Sequence, residues 1–329
     1  MPYFDSFQRP ISYLRVSVTD RCNLRCVYCM PEGGVAQIPH QDILRYEELE
    51  RIVRVAVGMG INHVRLTGGE PLVRSGIVEL VTALAAIPGL DDLSMTTNGT
   101  LLARYADALA QAGLRRVNIS LDTLDPKRFR QTTRLGTLAE VLAGRKAALR
   151  AGLRPVKINT VVIRGLNDDE VVELARQTFQ PDWHLRFIEV MPLGSGVHWA
   201  GDGVVPSAEI RARIAAAWGE LTPVHGKTGV GPARYYRLPH AEGTLGFISA
   251  ISEHFCHACN RLRLTSDGQI LPCLMSNQSV DLKTPLRAGV DDATLQEIFE
   301  QAIRAKPRGH HLTEGILPLN VRPMSGIGG

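Results

Sequence analysis

Residues 14–29 read Leu-Arg-Val-Ser-Val-Thr-Asp-Arg-Cys-Asn-Leu-Arg-Cys-Val-Tyr-Cys. The first half alternates, with Arg15, Ser17 and Thr19 on one side and Leu14 and Val16 on the other, which is the period of a β-strand. Cys22, Cys26 and Cys29 then fall on the loop at the strand's carboxyl end, where α/β barrels place their chemistry. Three thiols this close together can wrap one side of a compact inorganic core. A [4Fe–4S] cube held by three cysteines keeps one iron open to an external ligand. Zinc is an alternative, as are reactive or merely buried thiols, but no fourth Cys or His lies nearby at the spacing of a four-ligand structural zinc site.

Outward from this stretch, the same rhythm recurs as far as about Val190. Strands are predicted at Leu14–Thr19, His63–Thr67, Leu93–Thr97, Arg116–Leu121, Val156–Val162 and Leu185–Val190. Amphipathic helices are predicted near Tyr46–Val57, Gly76–Ala86, Leu101–Ala112, Leu138–Ala151 and Asp169–Gln180. Thr137 with Glu140, and Asn167 with Glu170, have capping-box spacing before two of them. Alternation of this kind implies βαβ units around a parallel sheet.

Buried parallel strands usually read as continuous Val, Ile and Leu. Here each strand has a polar side: Arg15, Ser17, Thr19; Arg65, Thr67; Ser94, Thr96, Asn98; Asn118, Ser120, Asp122; Lys157, Asn159; His184, Arg186. Helices packed on the apolar side leave the polar side to line something wet or a polar ligand. The expected fold is therefore α/β, an incomplete (βα)6 barrel whose lumen is a binding cavity. A flat sheet with one solvent-facing side is the alternative.

Beyond Pro192 the texture changes to a Gly-rich loop, a helix at Ser207–Trp218, and a Gly/Pro/Thr-rich segment, 221–231, that lacks the full phosphate-loop order. Strands at Arg234–Leu238 and Leu245–Ser249 should precede a second cysteine set, Cys256, Cys259 and Cys273, with a hairpin turning at Asp267-Gly268. A helix after Thr294, with Glu297 as capping partner, comes next, and the tail RPMSGIGG is too rich in glycine to form a helix or strand of its own. The expected division is residues 1–232, the barrel and its extension, and 233–329, a cluster-binding region that closes the lumen.

Arg261 and Arg263 share one side of any strand after Cys259. With Arg15, Arg65, Lys157 and Arg186 they give a lumen far richer in cations than in acids, since the strand pattern supplies chiefly Asp122. A closed cavity with that imbalance calls for a polyanion. Histidines 254 and 257 keep zinc open as an alternative at the second set, and a solvated charged strand face is the plain alternative for the arginines.

The whole chain of 329 residues carries a net charge of +4, with 44% hydrophobic and 5% aromatic residues. Charge this small and rings this few argue against nucleic-acid binding. No run approaches a membrane span, and MPYFDSFQRP lacks the basic and apolar regions of a signal peptide, so a cytoplasmic protein is expected.

Cys-x3-Cys-x2-Cys with Tyr28 before the last cysteine, followed one βα unit later by Thr67-Gly-Gly-Glu-Pro71, resembles the radical S-adenosylmethionine superfamily. Within it, LRVSVTDRCNLRCVYCMP, RLTGGEPL, TTNG, NISLDTL, VKINTV, RFIEVMPLG, CHACNRLRLTSDG and the final Gly328-Gly329 resemble the GTP 3′,8-cyclase family of molybdenum cofactor biosynthesis over nearly the full chain. Leu24 replaces a phenylalanine common in that family. The resemblance implies a partial or complete βα barrel and two [4Fe–4S] clusters, one on Cys22, Cys26 and Cys29 for S-adenosylmethionine and an auxiliary one on Cys256, Cys259 and Cys273 at the guanine edge. It implies S-adenosylmethionine contacts at Tyr28, Gly69, Ser120 and Met191. It also implies GTP contacts at Arg15, Arg65, Thr96, Lys157, Arg186, Arg261 and Arg263, the last two catalytic together with the first cysteine trio, and a Gly-Gly tail that enters the site. The implied reaction starts with a 5′-deoxyadenosyl radical taking hydrogen from C3′ of GTP and ends in 3′,8-cyclo-7,8-dihydro-GTP. The implied partners are an external one-electron reductant and a downstream cyclic pyranopterin monophosphate synthase, with the chain a monomer or homodimer. A peptide-modifying radical enzyme, a zinc-stabilised nucleic-acid binder and an electron carrier are the competing readings.

Overall fold

The computed structural model describes residues 3–199, 201–224, 230–310 and 324–327. Six strands form the centre of the sheet: β3 (Tyr13–Ser17), β4 (His63–Thr67), β5 (Asp92–Thr97), β6 (Arg116–Ser120), β7 (Lys157–Val162) and β8 (His184–Glu189), after a short antiparallel ribbon of β1 (Tyr3–Phe4) and β2 (Pro10–Ile11). All six are parallel, in chain order, and each agrees with its expected strand to within a residue or two at either end. Leu14, Val16, Leu66, Met95, Val117, Ile119, Ile158 and Phe187 turn to the helical side and join one core.

That core is covered by α1 (Tyr46–Gly58), α2 (Ile77–Ala85), α3 (Leu102–Gln111), α4 (Pro126–Thr133), α5 (Leu138–Arg150) and α6 (Val171–Arg176). Helix α4 is unforeseen: its polar sequence hides a Pro start and an Asp125 side chain that accepts from Arg128 N at 2.8 Å. Thr137 and Glu140 do form the reciprocal cap of α5. Asn167 and Glu170 do not cap α6. Asn167 is buried and its amide nitrogen donates to Asp122 O and Val161 O, both at 2.9 Å, while Glu170 accepts from Thr123 Oγ1. Tertiary demand for donors between β6 and β7 has taken the side chain that local spacing assigned to the helix.

The C-terminal third extends both edges of this sheet. After α7 (Ser207–Trp218), β9 (Thr222–Pro223) and β10 (Arg234–Arg237) lead to β11 (Thr244–Ile248), which adds in parallel beside β8. The chain then crosses to the other edge, where β12 (Arg261–Leu264) adds in parallel beside β3 and turns back through β13 (Gln269–Leu271) and β14 (Val280–Asp281). Eight consecutive parallel strands result, from β12 through β3–β8 to β11, where six were expected. The crossing segment carries Cys256 and Cys259, so both ends of the sheet anchor the second cysteine set.

Three helices follow among the described residues. Between α8 (Lys283–Arg287) and the end lies α9 (Asp292–Arg304), capped by Asp291 accepting from Thr294 N rather than by a Thr294–Glu297 box. Contrary to the glycine-based expectation, Met324–Ile327 forms a single helical turn, α10, with Ser325 and Ile327 buried. Burial of those side chains outweighs the poor propensity of the stretch. Gly328 and Gly329 lie outside the described residues, as do residues 225–229 of the Gly-rich segment. Among the described residues no helix is long and apolar enough to cross a membrane.

Candidate functional site

Parallel register turns the polar sides of the strands into rows. Arg263 of β12 pairs with Arg15 of β3, which pairs with Arg65 of β4, so three guanidinium stems stand side by side on adjacent strands. Neighbouring strands are about 4.8 Å apart, and like charges placed directly across from one another repel. Burial, and next Arg263, hold the Arg15 guanidinium well below its ordinary basicity. Burial, and next Arg261, bring Arg263 down to about 10. Across the site, burial lowers Arg186 to about 10 and Lys157 to about 8, the latter while its ammonium donates to Tyr235 Oη at 3.1 Å.

These cations share one cavity of about 280 Å³. Its wall includes Arg15, Arg65, Thr96, Ser120, Lys157, Asn159, Arg186, Arg261 and Arg263 from the sheet, Asp122 and Met191 from just past the ends of β6 and β8, and Tyr28 with Cys29 from the first cysteine loop. Cys256, Cys259 and Cys273 reach the same wall. Several polar atoms of these wall residues are buried without a hydrogen-bond partner among the described residues: Arg65 Nε, Arg186 Nε and Nη2, Thr96 Oγ1 and Asn159 Oδ1. Asp122 does not neutralise the arginines, because its carboxylate accepts from Tyr28 Oη at 2.7 Å and Val161 N at 2.9 Å. A polyanionic, hydrogen-bonding ligand is what such a surface fits.

The two cysteine sets differ in their surroundings. All six thiols are free of disulfides. Burial, followed by the repulsion of Cys22, pushes Cys29 up to about 12, and burial also raises Cys22 and Cys26. Such a set holds thiolates only against a cationic core. N–H groups already face the sulfurs: Leu24 N lies 3.4 Å from Cys22 Sγ, Asn98 Nδ2 3.9 Å from the same atom, and Met275 N 3.4 Å from Cys273 Sγ. At the second set, burial raises Cys259 but Arg261 and Lys306 outweigh it, bringing the thiol down to about 6. Among the described residues, no group of three or more His, Cys, Asp or Glu is spaced to hold a single metal ion.

Gly69 is not on the cavity wall. A Cβ there would come within 2.3 Å of Arg21 O, and Gly69 N donates to Thr19 O at 2.7 Å. Glycine at this position lets the loop after β4 press against the backbone leading into the cysteine loop. Glu70 in turn is fully buried and accepts from Leu72 N at 3.0 Å, Thr97 Oγ1 at 2.7 Å and Asn98 N at 2.6 Å. Its carboxylate ties the loops after β4 and β5 together. Burial raises it to about 7.

Sequence reasoning overlooked several wall residues, among them Arg116, Tyr235, Lys306, His310 and Met324. Arg116 was discernible as the first residue of its strand; its charge is held by Asp92. Tyr235 belongs to a strand whose pairing partner could not be read locally, and Lys306 and His310 stand in a segment without any pattern.

Two family models match the chain: the Radical SAM superfamily over residues 16–178 and Molybdenum Cofactor Synthesis C over residues 183–312. The GTP 3′,8-cyclase of Pelotomaculum thermopropionicum is 54% identical over 99% of both chains, and that of Heliobacterium modesticaldum 53% over 99% of both. The GTP 3′,8-cyclase of Moorella thermoacetica is 51% identical with the same coverage. Among solved structures, Streptococcus suis SuiB superposes with a TM-score of 0.60 at 15% identity, covering 92% of this chain and 68% of that one. Native anSMEcpe with bound AdoMet gives 0.57 at 16%, covering 95% and 84%. The likeness to these two is one of fold.

Proposed function

The chain belongs to the GTP 3′,8-cyclase family, and from that premise we propose that it converts GTP to 3′,8-cyclo-7,8-dihydro-GTP inside the cation-lined cavity, using S-adenosylmethionine. The observation that carries the reading is the arginine row of Arg263, Arg15 and Arg65 on a wall that also carries Cys29 and all three cysteines of the second set. A triphosphate supplies the negative charge that this row lacks.

Cys22, Cys26 and Cys29 would hold one [4Fe–4S] cluster and Cys256, Cys259 and Cys273 a second; the free thiols and the N–H groups facing them fit that load. When bound, the first cluster and S-adenosylmethionine supply a carbon radical strong enough to take hydrogen from C3′ of the ribose. Tyr28, Ser120 and Met191, on the wall with Cys29, bind S-adenosylmethionine in this reading, and Gly69 acts indirectly by seating the cysteine loop. Arg15, Arg65, Lys157, Arg186 and Arg263 hold the phosphates, so that binding energy from a remote group fixes the ribose and base. Arg261 spans the two tasks: its guanidinium is 3.7 Å from Cys259 Sγ and stacks 4.8 Å from the Phe255 ring. Thr96 Oγ1 offers an unused hydroxyl to the nucleotide.

Loss of the C3′ hydrogen leaves a ribose radical that bonds to C8 of guanine. One electron and one proton, from outside the substrate, then complete the product. The protein's part in closure is to keep C3′ against C8 and to exclude water. We assign residues 1–232 to radical generation and 233–329 to the auxiliary cluster and the closing of the lumen, with the product passing to a cyclic pyranopterin monophosphate synthase.

Anaerobic incubation with GTP, S-adenosylmethionine and dithionite, followed by mass analysis of the nucleotides, tests the reading. Formation of a chromatographically distinct isomer of GTP of unchanged mass, together with 5′-deoxyadenosine, is the expected result. Iron-loaded protein that leaves GTP unchanged under these conditions overturns it.

A further inference from the structure

Lys306 lies just past α9 and is only 3% exposed. Its ammonium donates to Arg261 O at 2.7 Å and to Pro272 O at 2.8 Å. The first carbonyl is two residues beyond Cys259 and the second immediately precedes Cys273, so one side chain joins the two halves of the second cysteine set. Burial lowers the ammonium from its ordinary range, and the negative groups that oppose this are the Cys259 and Cys273 sulfurs. Arg261, the other charge acting on it, is positive.

A buried ammonium is costly unless an anion compensates it. Here that anion is furnished by the cysteine sulfurs. The segment bearing Lys306 is fixed from two more directions. Arg9, buried and paired with Asp5, donates to Cys256 O at 2.7 Å and to Pro307 O at 2.7 Å, and His310 Nε2 lies 2.8 Å from Ala250 O. Residues 306–310 thus form a strap whose placement is bound to the loop carrying Cys256 and Cys259.

We propose that Lys306 is a positioning residue for the auxiliary cluster, its fixed positive charge favouring the cluster's reduced, more negative state while its two carbonyl bonds hold Cys259 and Cys273 in place. The proposal rests on the reading that this trio binds a [4Fe–4S] cluster. A positive charge and N–H donors near the ligand sulfurs are established means of raising a cluster's reduction potential. Replacing the ammonium with a neutral group of similar shape should therefore make the cluster harder to reduce.

The test uses full-length protein carrying Cys22→Ala, Cys26→Ala and Cys29→Ala, so that the auxiliary site alone gives a signal. This parent, Lys306→Gln and Lys306→Arg are reconstituted anaerobically, checked for folding by circular dichroism, assayed for iron and sulfide, and titrated potentiometrically with electron paramagnetic resonance detection. The Gln variant should load iron yet titrate at a more negative potential, and the Arg variant should stay with the parent. A folded Gln variant that loses iron which the Arg variant retains also supports the charge role. Equal midpoints for parent and Gln variant, or the same defect in both variants, overturns it. A parent that takes up no iron defeats the auxiliary-cluster reading itself, whatever Lys306 does.

Discussion

Gly246 lies directly across the parallel pair from Arg186, and a Cβ on Gly246 would stand 2.8 Å from Arg186 Cγ and 3.1 Å from Tyr235 Cε1. The guanidinium stem can lie along the cavity wall because β11 offers it no side chain. This contact makes β11, from the C-terminal third, a determinant of where a β8 cation points.

Gly246→Ala should therefore act on substrate binding through Arg186. Displacing one charge-assisted contact of about 1.5 kcal/mol corresponds to a rise in KM for GTP of roughly tenfold. The added methyl should also lower stability by ~1–3 kcal/mol, since the contact is with the middle of a side chain and with a ring. Steady-state kinetics and a melting curve separate the two effects. An unchanged KM would show that Arg186 does not hold the nucleotide.

Lys157 supplies a pH dependence with a definite sign. Burial lowers its ammonium to about 8. A polyanion binds the protonated form better, so affinity for GTP should be full below that value and fall as pH rises through it, by up to a factor of ten per pH unit. Calorimetric titration of GTP between pH 7 and 9 checks this. Lys157→Met should bind more weakly and lose most of that slope, whereas Tyr235→Phe, which removes only the hydroxyl partner, should retain a slope. A flat profile in the unaltered protein would be inconsistent with Lys157 contacting phosphate.

Cys256→Ala should separate the two cysteine sets. Iron should drop from about eight to about four atoms per chain, with S-adenosylmethionine cleavage preserved and cyclisation lost. Cys22→Ala should instead abolish S-adenosylmethionine cleavage and leave the auxiliary cluster. Iron and sulfide analysis, combined with detection of 5′-deoxyadenosine, distinguishes them. Retention of all the iron by Cys256→Ala would remove it from the ligand set.

How far the sequence revealed these arrangements depended on the range of the interaction responsible. The strands β3–β8 announced themselves because each alternates a core residue with a cavity residue, and that period is local. The arginine pairing of β3 and β4 followed from the same alternation. The addition of β12 and β11 at opposite edges did not, because strands of four and five residues say nothing about their neighbours. Asn167 misled for a related reason: capping spacing is a local signal, and its amide is consumed by carbonyls of β7 and of the loop after β6. The motif around Glu70 is legible, but the buried bonds of its carboxylate to Leu72, Thr97 and Asn98 join two separate loops and have no local signal. Lys306 had no signal at all; its significance comes wholly from the two carbonyls it joins.

Glu189, the last residue of β8, shows how such hidden contacts couple the two halves of the site. It is fully buried, and its carboxylate accepts from Ser207 N at 2.9 Å, Ser207 Oγ at 3.0 Å, Ile251 N at 2.8 Å and Ser252 N at 2.9 Å, with Ser252 Oγ as a fifth donor. Met191 follows two residues later on the wall with Cys29, while Ile251 and Ser252 begin the loop that reaches Cys256. Glu189→Gln preserves shape but turns an amide toward donors, leaving at least one buried N–H unmatched at a cost of ~1–3 kcal/mol. The expected result is a lower melting temperature and faster loss of iron from the second set than from the first, followed in a protein carrying each trio alone. Equal rates of loss from both sets would mean that Glu189 steadies the fold at large and not the loop that carries Cys256.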